Sequence, residues 1–197
     1  MNVMKQETVA LIFYIRGVIW YLILVGAIIL KYIEGGTTPL HLFVLGSIIV
    51  ISTEIFRIYC AGYLRGKQPV TRAQAEFLCQ SGPFAYLRNP LYAANMIRGI
   101  GVCIAINEWY AYALFLVINV WVFSVIIPHE EQFLEEKFGD IYRDYKAATR
   151  RFIPRLTAYR GNTRVIPCYR ASILSELHTI ALLAVLLAFI YTAFFTT

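Results

Sequence analysis

The sequence predicts an all-α, polytopic membrane bundle of about five transmembrane helices with an amphipathic helix on the cytoplasmic surface. Three observations carry that prediction. Of 197 residues, 59% are hydrophobic and only 15% charged, whereas a soluble domain carries about a quarter charged residues. The apolar residues come in runs of bilayer length rather than at amphipathic spacing. The basic residues behind the net charge of +6 sit in blocks beside those runs. Membrane topology explains such blocks better than a nucleic-acid-binding face does. The chain therefore reads as a single membrane domain, 1–197, with no nucleic-acid partner.

The first run, residues 9–30, is apolar except for Arg16. At ~1.5 Å per residue it is long enough to cross a hydrocarbon core of ~30 Å. It is too long for a signal-peptide core and has no small-residue cleavage pattern after it, so it reads as a retained span. Residues 31–39 form a short turn with Gly35, Gly36 and Pro39. A second span covers 40–61, and together residues 9–61 hold the first two crossings. The second span contains Glu54 and Arg57, three apart on one helical face. Ionisable groups in a span are candidate functional residues. The plainer reading is a partly wet salt bridge near the cytoplasmic end, and the other is a border of a binding pocket.

Residues 62–88 are too polar to span, with Arg65, Lys67, Arg72 and Arg88 against Glu76. A short helix over 72–80 fits before the Ser81-Gly82-Pro83 break. Asn89-Pro90 reads as a helix start, Asn89 as N-cap and Pro90 in the first helical position. The third span follows over 90–106. Its Gly99 and Gly101 suit close helix packing better than a phosphate loop, because no strand precedes them. Asn107-Glu108 is a tight turn, and Trp109, Tyr110 and Tyr112 form an interfacial belt. The fourth span runs to about residue 127, so the two spans pack as an antiparallel hairpin.

Glu130 and Glu131 then open a charged region, with a surface helix over 132–149. Its apolar side is Phe133, Leu134, Phe138, Ile141, Tyr142 and Tyr145. Gly139 weakens its middle and can divide it into two helices. Residues 150–170 are a basic connector broken by proline, and 171–195 a fifth span. The positive-inside rule puts 62–88 and 129–170 in the cytoplasm. Cys60, Cys79, Cys103 and Cys168 are scattered, as are His41, His129 and His178, and none shows metal-ligand spacing. No metal site is assigned. The cysteines read as reduced, small apolar residues.

Two stretches, 81–92 and 128–154, thus meet on one face of the membrane. Their residue types suit a methyl donor such as S-adenosylmethionine. Glu130 and Glu131 can meet an ammonium and soften the field of a sulfonium. Arg88 or Arg151 can take a carboxylate in a forked contact. Phe84, Tyr86, Tyr92 and Tyr142 offer aromatic faces. Each has a plainer reading. Arg88 can be an interfacial anchor, and the two glutamates can favour a helix dipole early in a helix. Tyr142 and Tyr145 can float a helix on the bilayer, and Pro154 can merely stop one.

Gly-Pro-Phe at 82–84, Arg-Asn-Pro-Leu-Tyr at 88–92, then a hairpin, Glu130-Glu131, Phe138-Gly139, Tyr142, Tyr145, Arg151 and Pro154 follow in order. This pattern resembles the isoprenylcysteine carboxyl methyltransferases and the related phospholipid methyltransferases. It covers residues 78–154. The resemblance implies an S-adenosylmethionine site on the cytoplasmic side, open sideways to a lipid-like acceptor. It implies cofactor contacts from Leu78, Gly82, Phe84, Tyr86, Leu87, Asn89, Pro90, Tyr92, Glu130 and Glu131. Arg88, Glu130, Tyr142 and Arg151 would be the catalytic set, with Arg143 beside them. Isoprenylcysteine carboxylate is the leading acceptor, with phosphatidylethanolamine-like amines, small thiols and quinone-like phenols as the others. Members usually carry His where this chain has Asn89, which can donate and accept hydrogen bonds but has no proton role. Residues 155–197, the connector and fifth span, also go beyond the family pattern. A prokaryotic inner membrane is the expected location. Two other classes remain: an NADPH-dependent membrane reductase of the sterol-reductase kind, and a non-enzymatic membrane scaffold or lipid-binding protein.

Overall fold

A computed structural model describes residues 22, 24–64, 77–161 and 165–195. Arg16, most of the first predicted span, Arg65, Lys67, Arg72 and Glu76 lie outside the described residues. Helix α1 is Leu24–Ile33. It is followed by α2 (Leu40–Tyr63), a 3-10 turn (Gly82–Ala85), α3 (Pro90–Ile106), α4 (Trp109–Phe138), α5 (Asp140–Ala148) and α6 (Tyr169–Phe195). The protein is an all-helical, polytopic membrane bundle. Helices α2, α4 and α6 are long and apolar enough to cross a bilayer, and α1 and α3 are shorter apolar helices.

Small polar side chains of α2 and α4 bond back to their own helix, as suits a helix in lipid. Ser47 Oγ donates to Phe43 O at 2.8 Å, Thr53 Oγ1 to Ile49 O at 2.5 Å, and Asn119 Nδ2 to Phe115 O at 2.7 Å. The helices approach closely where side chains are missing. Gly46 of α2 faces Gly101 of α3, and a Cβ on Gly101 would lie 2.8 Å from Ile49 Cγ2. Gly99 gives its space to the ring of Phe115 on α4. The predicted use of both glycines in helix packing holds. Beyond this crossing, Ile28, Val50, Val102, Ile106, Phe115, Leu186 and Ile190 gather one apolar core from five helices.

The bundle is pinned by charge at two levels. At one end, Lys31 does not lie in a turn as expected, because α1 continues through Ile33 and buries it completely. Its ammonium bonds Thr38 Oγ1 at 2.8 Å and Ile106 O at 2.6 Å, and pairs with Glu108 at 3.3 Å. It thereby caps the carbonyl end of α3, where a cation is favoured. Asn107 makes the turn to α4 in the left-handed conformation, φ 58°. Nearer the other end, Glu54 and Arg57 are buried together and tie three helices. Arg57 Nη2 bonds Glu176 Oε1 of α6 at 2.8 Å, and Arg98 of α3 bonds Glu54 at 2.9 Å. Asn95 of α3 accepts from Arg57 Nη1.

Two other expectations change. Residues 77–80 are not helical, so that end of the short 72–80 helix is absent, and 72–76 lie outside the described residues. The fourth span does not stop near 127. Helix α4 runs unbroken through Pro128 to Phe138, and the break falls at Gly139, φ 54°. The surface helix is therefore two pieces, the first fused to the span. Proline lacks only one donor, and a long helix retains enough other bonds to carry it through.

Candidate functional site

Thirty residues of α4 amount to ~45 Å, longer than a hydrocarbon core of ~30 Å. The last turns of α4 therefore reach past the apolar layer and carry Glu130, Glu131, Glu135 and Glu136. This corrects the dipole reading of the glutamate pair. Glu130 and Glu131 lie far from the amino end of a long helix, out of reach of the dipole that favours an anion, and Glu131 is buried, so its charge needs partners.

Those partners arrive from two other segments. The 3-10 turn begins at Gly82, φ 58°, with the Tyr63 ring against the space a Cβ would fill. Only glycine meets both demands. The chain then runs to Asn89 and is stitched to the connector after α5. Arg88 N donates to Arg150 O at 3.0 Å, Asn89 N to Arg151 O at 3.3 Å, Arg155 N to Tyr86 O at 2.9 Å and Tyr159 N to Ala85 O at 2.8 Å. This seam sets Arg88 and Arg151 side by side, and Glu131 lies between them. Arg151 Nε and Nη2 donate to the two Glu131 oxygens at 3.0 and 2.7 Å. Arg88 Nη2 lies 3.4 Å from Glu131 Oε1, and its Nη1 donates to Lys146 O at 3.1 Å. The Glu131 side chain is 4% exposed and that of Arg151 43%. Glu131 holds the Arg151 guanidinium above its usual range. Glu130 accepts from Tyr92 Oη at 2.9 Å.

Helix α5 closes the back. Tyr142 and Tyr145 are buried with Leu78, Leu134, Phe138 and Tyr159, and Tyr145 Oη donates to Phe84 O at 2.7 Å. Burial, with the Glu131 charge next, pushes the Tyr142 hydroxyl up, and burial does the same to Tyr145. Both stay protonated donors at neutral pH. In front lies an open cavity of about 500 Å³, within the size range of small-molecule sites. Its wall includes Pro128, Glu131, Glu135, Glu136, Arg143, Lys146 and Arg151.

Of the residues singled out in the sequence, Arg88, Glu131 and Arg151 form one contact cluster, and Tyr92 and Glu130 another. Leu78 and Tyr142 share the buried packing behind the cavity. Phe84 and Leu87 are buried, so their faces are packed rather than open, whereas Tyr86 is exposed. Asn89 stands at the N-cap of α3 without a side-chain capping bond, and Pro90 is the first helical residue. The Asn89 amide nitrogen and Arg88 Nε are buried without a hydrogen-bond partner. Sequence reasoning missed Gln80, buried with both amide atoms unpartnered, and the cavity wall of Glu135, Glu136 and Lys146. The spacing of Glu131, Glu135 and Glu136 puts them on neighbouring turns of one face, a signal open to reading. Among the described residues, no group of three or more His, Cys, Asp or Glu is arranged to hold a metal ion.

Two curated proteins are similar over 122 residues. The cobalt-zinc-cadmium resistance protein CzcN of Cupriavidus metallidurans is 29% identical, over 62% of this chain and 53% of its own length. The nickel-cobalt-cadmium resistance protein NccN of Alcaligenes xylosoxydans xylosoxydans is 25% identical, over 62% and 54%. The chain thus spans about half the length of the curated relatives it matches. No solved structure matches. The phospholipid methyltransferase family matches residues 36–141, which takes in α2, the 3-10 turn, the α3–α4 hairpin and the glutamate pair. With more than half of its length in that match, the chain belongs to the phospholipid methyltransferase family, one associated with S-adenosylmethionine-dependent methylation of lipids.

Proposed function

We propose that this protein binds S-adenosylmethionine in the cavity beside Glu131 and Arg151 and methylates a lipid-like acceptor that enters from the bilayer. The observation that carries the reading is the cluster of Arg88, Glu131 and Arg151 at the wall of a cavity built on a membrane helix. When bound, S-adenosylmethionine supplies an electrophilic methyl group on a sulfonium. The donor set fits such a zwitterionic, cationic molecule. Glu136, and Glu135 once it exchanges its pairs with Lys146 at 2.9 Å and Arg143 at 3.5 Å, offer carboxylates to an ammonium, and Arg143 and Lys146, so released, offer cations to a carboxylate.

Glu131 does not face the cavity as a bare anion. Its charge is taken up by the two arginines, so its role is to hold Arg151 in place. Glu130, oriented by Tyr92, is the acid at the helix end nearer the span. Tyr142, kept neutral, supports the wall. Methyl transfer needs alignment and exclusion of water more than proton transfer. An acceptor that is already a carboxylate, as in an isoprenylated cysteine, needs no base. Five crossings with this site on the cytoplasmic face complete the reading.

Calorimetric titration of the detergent-purified chain with S-adenosylhomocysteine, with NADPH in parallel, tests it. Binding of S-adenosylhomocysteine alone, followed by label transfer from methyl-labelled donor into lipid extract, is the expected result. Binding of NADPH alone would replace it with a reductase. A folded chain that binds neither is a scaffold.

A further inference from the structure

The connector between α5 and α6 is basic and free of acids. No acid occurs between Asp144 and Glu176, while Arg150, Arg155, Arg160 and Arg170 are interspersed with apolar residues. A basic segment of this kind usually turns its apolar residues inward. Here they face out. Leu156 is fully exposed at 101%, Ile166 is 83% and Ile153 61% exposed, and Phe152 is also exposed. The described parts of the segment are held at both ends. Its backbone is bonded to Ala85, Tyr86, Arg88 and Asn89 at one end, and Cys168 N donates to Gly62 O at 2.9 Å at the other.

A second observation fixes the depth of this segment. At the end of α2 and the start of α6, Tyr59, Tyr63 and Tyr169 form an aromatic group, with Tyr59 and Tyr169 stacked at 6.3 Å. Tyr59 and Tyr169 are exposed. Tyrosines in such a position sit at headgroup level. Ile166 and Arg170 flank Tyr169, so the connector enters α6 at the depth of lipid phosphates and upper acyl chains.

We infer that the exposed face of the connector, formed by Arg150, Leu156, Arg160, Ile166 and Arg170, is a binding surface for anionic phospholipids of the surrounding bilayer. Arginine forks match phosphate geometry better than lysine does, and clustered cations beside a span are drawn to anionic headgroups. The exposed aliphatic side chains need a partner that is apolar within a few ångströms of its charge. A phospholipid has both parts. Arg151 and Arg155 are not included, since Arg151 pairs with Glu131 and Arg155 packs over Tyr159. Because the connector is stitched to residues 85–89, lipid held there also steadies the Arg88 loop. The inference does not depend on the methyl donor.

The test uses the full chain in detergent, with dioctanoyl phosphatidylglycerol, dioctanoyl phosphatidylcholine and inorganic phosphate as probes. Native mass spectrometry reads retained lipid, and thermal unfolding reads the shift in midpoint. The expected result is about tenfold tighter retention of phosphatidylglycerol than of phosphatidylcholine, a higher midpoint with the former, and none with phosphate. The variant Arg150→Gln/Arg160→Gln/Arg170→Gln abolishes the preference. Leu156→Ser, at a side chain with no packing to lose, lowers retention of both lipids. Equal retention of the two lipids by the natural chain, or a preference that survives in the triple variant, overturns the inference. A phosphate effect equal to that of phosphatidylglycerol overturns it too, by making the surface a free-anion site.

Discussion

The molecule contains two charge clusters of nearly the same composition, and they do different things. Glu54, Arg57, Arg98 and Glu176 lie within the bundle. Arg88, Glu131 and Arg151 lie at its end. Each joins buried acid to two arginines. In the first, the side chains of Glu54, Arg57 and Glu176 are all less than a tenth exposed, and the charges turn on one another to join α2, α3 and α6. In the second, Arg151 is half in solvent, and Arg151 and Glu131 line a cavity. Composition alone does not separate a structural ion network from a binding site. What separates them is whether a polar face remains accessible after the internal pairs are made.

The comparison can be broken by mutation, most severely at the inner cluster. Arg57→Met leaves Glu54 and Glu176 buried with too few partners, and removing one member of a buried pair costs about 3–5 kcal/mol. A large drop in the thermal midpoint and loss of folded protein in detergent are expected. Gly46→Val comes next. Its side chain would collide with Gly101 O and Ala105, and overpacking costs about 1–3 kcal/mol, read as a smaller drop in midpoint. At the outer cluster the pattern reverses. Arg151→Ala, at a guanidinium 43% exposed, should weaken S-adenosylhomocysteine binding about tenfold, equivalent to ~1.4 kcal/mol, while the midpoint moves little. Equal loss of stability in both clusters would erase the distinction. Tyr92→Phe removes one hydrogen bond to Glu130 and should cost about 1 kcal/mol at most in binding.

The smallest effect concerns thiols. Burial pushes Cys79 up to about 11, so its reactive thiolate is scarce until the pH approaches that value. Cys168 is exposed. A maleimide at pH 7 should label Cys168 well before Cys79. Replacing both with Ser should leave donor binding unchanged.

Much of this was legible in the sequence. Continuous apolar runs marked α2, α3 and α6 to within a few residues, because a helix in lipid needs little more than length and hydropathy. Asn107 and Gly139 marked turns because few residues adopt positive φ. The extent of α4 was not legible. Pro128 and the charges after it look like an end, yet nothing local shows that a helix continues into water. The partner of Arg57 was hidden for another reason. Glu176 lies 119 residues away, and periodicity says which face a residue occupies, not which helix meets it. The seam between 85–89 and 150–159 was equally silent, since backbone pairing of irregular segments leaves no residue signature. The glutamate pair was found, but its neutralisation by Arg88 and Arg151 depends on that seam.

That seam has a consequence for how the chain can vary. Arg88 and Arg150 are joined through their main chains, so the stretch between them leaves and returns to the same point. It is a closed circuit. Whatever is spliced onto the chain before it or after it meets the circuit at a single junction. Extensions can be gained, lost or exchanged without redrawing the path that sets Glu131 between its arginines.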